Sequence, residues 1–328
     1  MPAPLKLVFM GSDPIALPLL DWLTGEGSAT ARLLAIYTQP DRPAGRGKKV
    51  EAGPIKRWAL ARGMPVRQPG KLSDEERAWL TAQQADVALV MAYGHILSEA
   101  FIATPRLGTL NLHASLLPKY RGASPIQTAV ACGDIETGVA LMRIVKKLDA
   151  GPVADVERVG VAPLDTALDV ERNLAAACVR LLARTWPRLC DGTLTFTPQE
   201  EAKASYCRRL VKEDGRLDFA APAPALAARI NGLFSWPGCS VEINGVGVRI
   251  GLADALSDKT GEPGTVMGLD AVGLLVATGD GVLRLRKLQR PGGRLLPTAE
   301  FLRGFPAVKG TRLPSQTMSS LVSPQPFR

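Results

Sequence analysis

The first half of the chain alternates between short apolar runs and longer stretches with apolar residues three or four positions apart. The short runs predict buried strands, and the longer stretches predict helices. The predicted strands are Leu7–Met10, Leu33–Thr38, Asp86–Met91, Thr109–His113, Val139–Ile144 and Val153–Val159. The predicted helices are Pro14–Leu23, Pro54–Arg62, Ser73–Gln83, Ser124–Cys132 and Thr166–Leu189. Strands that alternate with helices in this way are typical of an α/β fold with a mostly parallel sheet.

The pattern changes in the second half of the chain. From 191 to 205, Gly, Thr, Pro, Glu and Lys follow one another without periodicity, which predicts an exposed linker. Asn-Gly, Asp-Gly and glycine-rich turns then separate short alternating runs, which predict a small open β-barrel. The predicted strands are Cys239–Ile243, Val246–Ile250, Gly264–Met267, Gly273–Ala277 and Val282–Leu288.

These patterns predict four segments along the chain. We expect an α/β domain over 1–189, a linker over 190–206 and a β-barrel domain over 207–312. The remaining segment, 313–328, is rich in Ser, Pro and Gln, so we expect it to be a flexible tail.

Composition narrows the class of protein. A hydrophobic share of 46% beside 22% charged residues excludes a disordered chain. The net charge of +9 favours a polyanionic partner such as nucleic acid. Five cysteines without a C-x-x-C pair predict neither a disulfide framework nor a metal site, and they suggest a reducing, cytoplasmic location. No apolar run is long enough for a signal peptide or a membrane span, so we expect no membrane partner. For the oligomeric state, a monomer is the default expectation.

Candidate chemistry lies at the end of the strand predicted over 109–113. Strand alternation places Asn111 and His113 on one face, at the edge where open α/β sheets bind ligands. An amide that donates hydrogen bonds and an imidazole that exchanges protons suit a developing oxyanion in acyl transfer. Asp149, before a turn-forming glycine, is placed to reach that imidazole. In the alternative interpretation, His113 is a satisfied polar residue at a strand end and Asp149 only a turn former.

Two basic stretches favour phosphate contacts. The loop over 39–49 carries Arg42, Arg46, Lys48 and Lys49, although it lacks the spacing of a Walker A loop and solvation alone would also explain it. The turn after the first strand likewise lacks the glycines of a dinucleotide fingerprint. The second stretch carries Arg284, Arg286, Lys287, Arg290, Arg294, Arg303, Lys309 and Arg312, which suit a nucleic-acid surface or, alternatively, solubilise a small barrel.

Several separate motifs resemble the methionyl-tRNA formyltransferase family, within the wider folate-dependent formyltransferase group. The group's signature is similar to N-L-H-A-S-L-L-P-K-Y-R-G over 111–122, and its later Asp-x-Gly matches 149–151. Motifs of the tRNA enzymes match T-Q-P-D-R-P-A-G-R-G-K-K over 38–49, A-Y-G-H-I-L over 92–97 and L-V-K-E-D-G-R-L-D over 210–218. The resemblance extends to about residue 310.

The resemblance implies a Rossmann-like first domain, an OB-like open barrel and transfer of a formyl group from 10-formyltetrahydrofolate to the amino group of methionyl initiator tRNA. It implies a catalytic trio of Asn111, His113 and Asp149, and it places the 39–49 loop against tRNA. The implied folate-site residues are Ser115, Leu116, Leu117, Pro118, Met91, Tyr93, Ile96 and Leu97. Plain core packing is the alternative for some of the side chains in 91–97.

Two features leave room for other interpretations. The chain departs from the family pattern at 12–14 and at Lys146-Lys147, which precede the Asp-x-Gly motif. The catalytic trio is shared with formyltransferases that act on small amines, and the basic loop and the barrel favour tRNA over such substrates. A tRNA-binding protein without catalysis is the rival from another class, and the presence of all three trio residues argues against it.

Overall fold

The computed structural model describes residues 3–44, 49–257 and 261–327. The chain divides into two compact units, each described by itself below. The first comprises the described residues of Met1–Arg121, Gly138–Val159 and Arg172–Lys203, and the second those of Gly122–Thr137, Gly160–Glu171 and Ala204–Arg328. Two short segments of the expected first domain therefore group with the second unit, which the order of elements along the chain does not reveal.

The regular elements follow in chain order. The strands are β1 (Leu5–Gly11), β2 (Ala31–Tyr37), β3 (Arg42–Ala44), β4 (Lys49–Glu51), β5 (Val66–Arg67), β6 (Val87–Met91), β7 (Thr109–His113), β8 (Arg121–Gly122), β9 (Glu136–Arg143), β10 (Val153–Gly160), β11 (Tyr206–Cys207), β12 (Cys239–Ile243), β13 (Val246–Leu256), β14 (Val266–Leu269), β15 (Leu274–Ala277), β16 (Val282–Gln289), β17 (Leu296–Pro297) and β18 (Val322–Ser323). The helices are α1 (Leu17–Thr24), α2 (Pro54–Ala61), α3 (Asp74–Ala82), α4 (Glu99–Ile102), α5 (Pro125–Ala131), α6 (Ala167–Cys190), α7 (Ala223–Leu233) and α8 (Thr298–Gly304).

A seven-stranded sheet forms the centre of the first unit, in the order β10-β9-β7-β6-β1-β2-β5. β1 pairs in parallel with β2 and β6, and β6 with β7, whereas β7 and β9 are antiparallel. After β1 the chain first adds β2 and β5 on one side of it and later adds β6 and β7 on the other side. The strand order therefore reverses at β1. The expected Rossmann-like, mostly parallel sheet is confirmed, and its switch point is where ligands bind in such folds.

β1 shows how the sequence builds this sheet. Residues 7–10 are fully buried, as expected for a strand covered by helices on both faces. At its carboxyl end, Gly11 pairs with Met91 of β6, and a Cβ at this glycine would lie 2.6 Å from the Met91 carbonyl oxygen. Glycine therefore lets the ends of β1 and β6 approach closely at the switch point.

The second unit contains an antiparallel sheet in the order β12-β13-β16-β15-β14, with β17 paired to β16. Along β12, Cys239, Val241 and Ile243 are buried while the residues between them are exposed. This period of two gives the sheet one apolar face, as sequence alternation predicts. The expected small open barrel is confirmed as this antiparallel sheet, whose cluster of buried side chains includes Leu226 and Ile230 of α7. The helix itself was not among the predicted elements.

The segment after residue 312 differs from the expected flexible tail. Leu313 and Leu321 are buried in the core of the second unit, and β18 pairs with β11. The hydroxyl of Ser319 donates a hydrogen bond of 2.8 Å to the carboxylate of Asp214. The tail expectation is therefore wrong, because two well-placed leucines anchor a segment whose average composition is polar.

Across the residues that the structure describes, no helix combines the length and the apolar character needed to cross a membrane.

Candidate active site

Strand β7 presents the first two candidate residues at the carboxyl edge of the sheet. Asn111 pairs with Val90 of β6 and Met142 of β9, and His113 lies opposite Ala140. Being two positions apart, both side chains lie on one face, with Cα atoms roughly 6.6 Å apart along the strand. The Asn111 amide is half-buried and makes no hydrogen bond within the described part of the chain. It is therefore available to a substrate.

His113 is held by the main chain. Its buried imidazole places Nε2 2.9 Å from the carbonyl oxygen of Tyr120. A carbonyl oxygen only accepts hydrogen bonds, so Nε2 carries the proton and donates it. Nδ1 is consequently the nitrogen left to exchange a proton with a substrate or a neighbour.

Asp149 approaches that nitrogen from the turn between β9 and β10. Its Oδ2 lies 3.8 Å from Nδ1 of His113, with side-chain exposures of 17% for the aspartate and 7% for the histidine. The separation suits an ion pair when the ring is protonated but exceeds a direct hydrogen bond. A water between the two groups could carry a proton. The expected meeting of the two motifs occurs, and the hydrogen bond that orients the ring is the one that Nε2 donates to the Tyr120 carbonyl oxygen.

The segment after β7 combines a structural serine with half-buried apolar residues. Ser115 is buried, and its hydroxyl donates a 2.6 Å hydrogen bond to the carbonyl oxygen of Lys119. Its hydroxyl thus closes the turn. Leu116, Leu117 and Pro118 are half-buried beside it. These three retain surface that a folate could cover, whereas the Ser115 hydroxyl is already engaged.

The side chains in the segment expected to wall the pterin lie in different environments. Met91 and Tyr93 are each 2% exposed, and Leu97 packs against the same apolar cluster as Tyr93. Ile96 is 98% exposed. Core packing accounts for Met91 and Tyr93, so any contribution of those two to a pocket comes through their main chain.

A polar cluster that sequence reasoning missed joins the ends of β1, β2 and β6. The carbonyl oxygen of Tyr93 accepts hydrogen bonds from Gln39 Nε2 at 3.1 Å and from Ser12 Oγ at 3.4 Å. The Gln39 main-chain N–H donates to Ser12 Oγ at 3.0 Å. Ser12 belongs to the turn that departs from the family pattern, and a short hydroxyl directly after a buried strand is the signal that would have found this cluster.

His95 places a second imidazole in the same region. Its ring lies 4.9 Å from that of Tyr93, and its buried Nε2 has no hydrogen-bond partner among the described residues. Burial, and then the positive charge of Arg42, lower the pKa of His95. The ring is therefore neutral near physiological pH and retains an unused polar atom.

The basic loop over 39–49 forms a hairpin in its described part. Strands β3 and β4 pair antiparallel, and Arg42 is exposed with its guanidinium donating a 3.0 Å hydrogen bond to Gln39 Oε1. Arg46 and Lys48 lie outside the described residues. Lys49 contributes its main chain to β4, and its side chain is likewise outside the described part.

The unusual lysine pair before Asp149 is matched by acidic side chains. Lys146 Nζ lies 3.4 Å from Glu99, and Lys147 forms an ion pair with Glu201. Hydrogen bonds from Lys147 and Arg121 lower the pKa of Glu201. Exposed ion pairs of this kind contribute little to stability, but they neutralise the two lysine charges locally.

The basic stretch of the barrel is partly neutralised. Arg284 bonds both Asp254 and Asp270, and Arg286 shares Asp254. Arg284 and Arg286 are therefore less available to phosphate than the sequence suggests. Sequence does not reveal that Asp254 lies opposite Arg284 on the neighbouring strand. Exposed members remain at Lys287, Arg290, Arg294, Arg303 and Lys309.

Comparison with known proteins adds independent information. The profile of a family described as "Formyl transferase" matches residues 5–185, and that described as "Formyl transferase, C-terminal domain" matches residues 209–306. A methionyl-tRNA formyltransferase of Ectopseudomonas mendocina is 41% identical over 302 residues, covering 92% of this chain and 95% of that protein. One from Methylobacterium nodulans is 43% identical over 315 residues, covering 94% and 99%.

Solved structures share the fold at low identity. HypX from Aquifex aeolicus in complex with tetrahydrofolic acid has a TM-score of 0.62 at 16% identity, covering 96% of this chain and 51% of that one. The N-formyltransferase of Helicobacter canadensis in complex with folinic acid and dTDP-3-aminofucose gives 0.64 at 18%, covering 86% and 99%. The fold, both family profiles and relatives matched over nearly their whole length agree, and the chain belongs to the methionyl-tRNA formyltransferase family.

Proposed function

We propose that this chain transfers the formyl group of 10-formyltetrahydrofolate to the amino group of methionyl initiator tRNA. The observation that carries the proposal is that His113 and Asp149 meet at the carboxyl edge of the sheet, where Asn111 lies on the same strand as His113. Family membership supplies the substrates, and the geometry supplies groups suited to acyl transfer.

Each of the three residues has a distinct role in the proposed reaction. When the methionyl amine attacks the formyl carbon, negative charge develops on the formyl oxygen, and the unengaged Asn111 amide donates a hydrogen bond to it. His113 has its Nε2 committed to Tyr120, so Nδ1 is the atom that faces the reacting groups. Asp149 stabilises a proton on Nδ1 through the negative charge of its carboxylate, 3.8 Å away, and through a bridging water. The proton that the amine loses finally goes to the departing folate nitrogen.

The residues present fit a folate donor in two respects. Half-buried Leu116, Leu117 and Pro118 offer apolar surface beside the trio, and the main chain over 94–97, which lies in no helix or strand, offers hydrogen-bonding groups. When bound there, the donor supplies an activated formyl group. No step of the proposal uses a metal, and the absence of a metal requirement is an expectation that metal removal with a chelator would test.

The substrate is tested by offering three acceptors to the purified protein with labelled formyl folate. These are methionyl initiator tRNA, methionyl elongator tRNA and an amino-sugar nucleotide. We expect label on the initiator tRNA. Label confined to the small amine would overturn the proposal in favour of the small-amine branch of the group, and no transfer to any acceptor would favour a binding protein without catalysis.

A basic cleft in the second unit offers a place for tRNA phosphates. Its volume is about 620 Å³, and Lys212, Arg216, Arg249 and Arg290 line it beside Glu213. None of the four cations forms a salt bridge with an acidic residue in the described ranges. Cations that no acidic side chain neutralises can replace the counterions of a phosphate backbone. We propose that this cleft binds tRNA phosphates, and that the basic stretch of sequence over 39–49 with Arg42, Arg46, Lys48 and Lys49 also binds the tRNA.

Replacing Arg216 by alanine is expected to weaken tRNA binding and to flatten its salt dependence. Each lost phosphate contact lowers the slope of log affinity against log salt by about 0.7–0.9. The matched control is Arg312→Ala, which removes the same charge from the same unit. Arg312 already pairs with Glu262, so we expect its loss to affect tRNA binding less. Equal effects of both variants, measured by filter binding over a salt series, would contradict a specific role for the cleft.

The proposed reaction belongs with translation, so we propose a cytoplasmic location. One chain carries every residue of the proposed catalytic trio, and a monomer is therefore sufficient for the chemistry.

A further inference from the structure

The turn that carries Asp149 has a demanding backbone. Asp149 has a φ of +45°, in the left-handed region that non-glycine residues rarely adopt. Two residues later, a Cβ at Gly151 would lie 1.9 Å from the carbonyl oxygen of Arg143. The turn is thus tight and locally unfavourable. Such a conformation persists only where surrounding contacts hold it.

A single side chain holds both sides of this turn. The amide nitrogen of Gln199 donates hydrogen bonds to the carbonyl oxygen of Asp149 at 2.8 Å and to that of Gly151 at 2.7 Å. Gln199 comes from the segment after α6, far along the chain from the turn. Its two amide protons therefore fix the main chain on either side of Ala150.

Arg121 fixes the orientation of that amide. Its guanidinium donates from Nε at 3.1 Å and from Nη2 at 2.9 Å to Oε1 of Gln199. An arginine has no acceptor, so the Gln199 oxygen must face it and the amide nitrogen must face the turn. The Arg121 side chain is fully buried, and its Nη1 also pairs with Glu201 at 3.0 Å. Few other orientations are available to it.

The same arginine adjoins the support of the histidine. Arg121 directly follows Tyr120, whose carbonyl oxygen accepts the Nε2 hydrogen bond of His113. One buried residue is thus connected to both members of the pair. Its backbone is bonded to Tyr120, which holds His113, and its side chain holds Gln199, which holds the Asp149 turn.

We propose that Gln199 and Arg121 are positioning residues for the formyl transfer, which set the distance between Asp149 and His113. The proposal rests on the proposed function of this site. Neither side chain carries out a chemical step. Both act through the main chain that carries the reacting groups.

Gln199→Glu is the discriminating variant. It keeps the size and the acceptor that faces Arg121, but it replaces the two donated hydrogen bonds by a negative oxygen facing two carbonyls. A residue that only anchors Arg121 would tolerate this change. We expect Gln199→Glu and Gln199→Ala both to lower kcat about tenfold, the low end of what lost supporting contacts cost, with KM values close to those of the wild type.

Glu200→Ala is the matched control, because the side chain of this exposed neighbour forms a local ion pair with Lys203. It should leave kcat unchanged. Hydrogen exchange of peptides over 144–152 supplies a readout independent of turnover, and exchange there should rise in Gln199→Glu at an unchanged melting temperature. Wild-type kcat and wild-type exchange in Gln199→Glu would overturn the proposal. Wild-type protein that formylates no acceptor would overturn the proposed function, while the exchange result would still report on the turn.

Discussion

Replacing Asn111 by alanine should lower kcat about 10²- to 10³-fold, the usual cost of losing one oxyanion donor. Its amide is half-buried at the carboxyl end of β7 and makes no hydrogen bond within the described part of the chain. No internal partner is therefore lost, and the melting temperature should stay close to that of the wild type. KM for both substrates should change little, because the interaction forms only as charge develops. Steady-state kinetics with a thermal melt measure both quantities.

A second substitution at the same position sharpens this test. Asn111→Asp keeps the shape of the side chain but cannot donate when ionised, and its charge opposes the developing oxyanion. It should be at least as damaging as alanine. Full turnover in the alanine variant, or a loss confined to KM, would remove Asn111 from the catalytic role.

The main parts of the proposed site follow from sequence, whereas their support does not. Alternation along β7 places Asn111 and His113 on one face, and the structure brings Asp149 within 3.8 Å of the imidazole. No local pattern reveals that the Tyr120 carbonyl holds the ring, or that Gln199 holds the turn. Main-chain acceptors and partners distant in sequence leave no periodic pattern, so only the three-dimensional structure shows them.

The fold shows the same division. Buried parallel strands and the alternating strands of the second unit are predictable because their periods match their burial. Helix α7 was missed, and Asn231-Gly232 within it is the pair that usually marks a turn. Gly232 is there for a different reason, since a Cβ would lie 2.2 Å from the main-chain nitrogen of Ala131. Close helix packing, which depends on the partner helix, requires this glycine.

Replacing Asp214 by alanine should destabilise the second unit by about 3 kcal/mol, the low end of the cost of removing one partner of a buried ion pair, because the Arg208 side chain is 23% exposed. The carboxylate is fully buried and accepts hydrogen bonds from Arg208 at 2.5 and 2.8 Å, from the Val211 N–H and from Ser319. Its loss leaves a cation without its partner and releases the C-terminal segment. Urea titration followed by tryptophan fluorescence measures the change. Glu262→Ala is the control in the same unit, where the exposed pair with Arg312 should contribute less than about 1 kcal/mol.

The difference between wild type and Asp214→Ala should shrink in acid. Burial acts to raise the pKa of Asp214, but Arg208, the Val211 N–H and Ser319 outweigh it and hold the pKa below its ordinary value. The unfolded chain therefore takes up a proton at higher pH than the folded one. The stabilisation is complete above the ordinary carboxyl pKa of about 3.9 and is lost as pH falls through the depressed folded value. A gap that stays constant from neutral pH into acid would show that the ionised carboxylate is not what holds this segment.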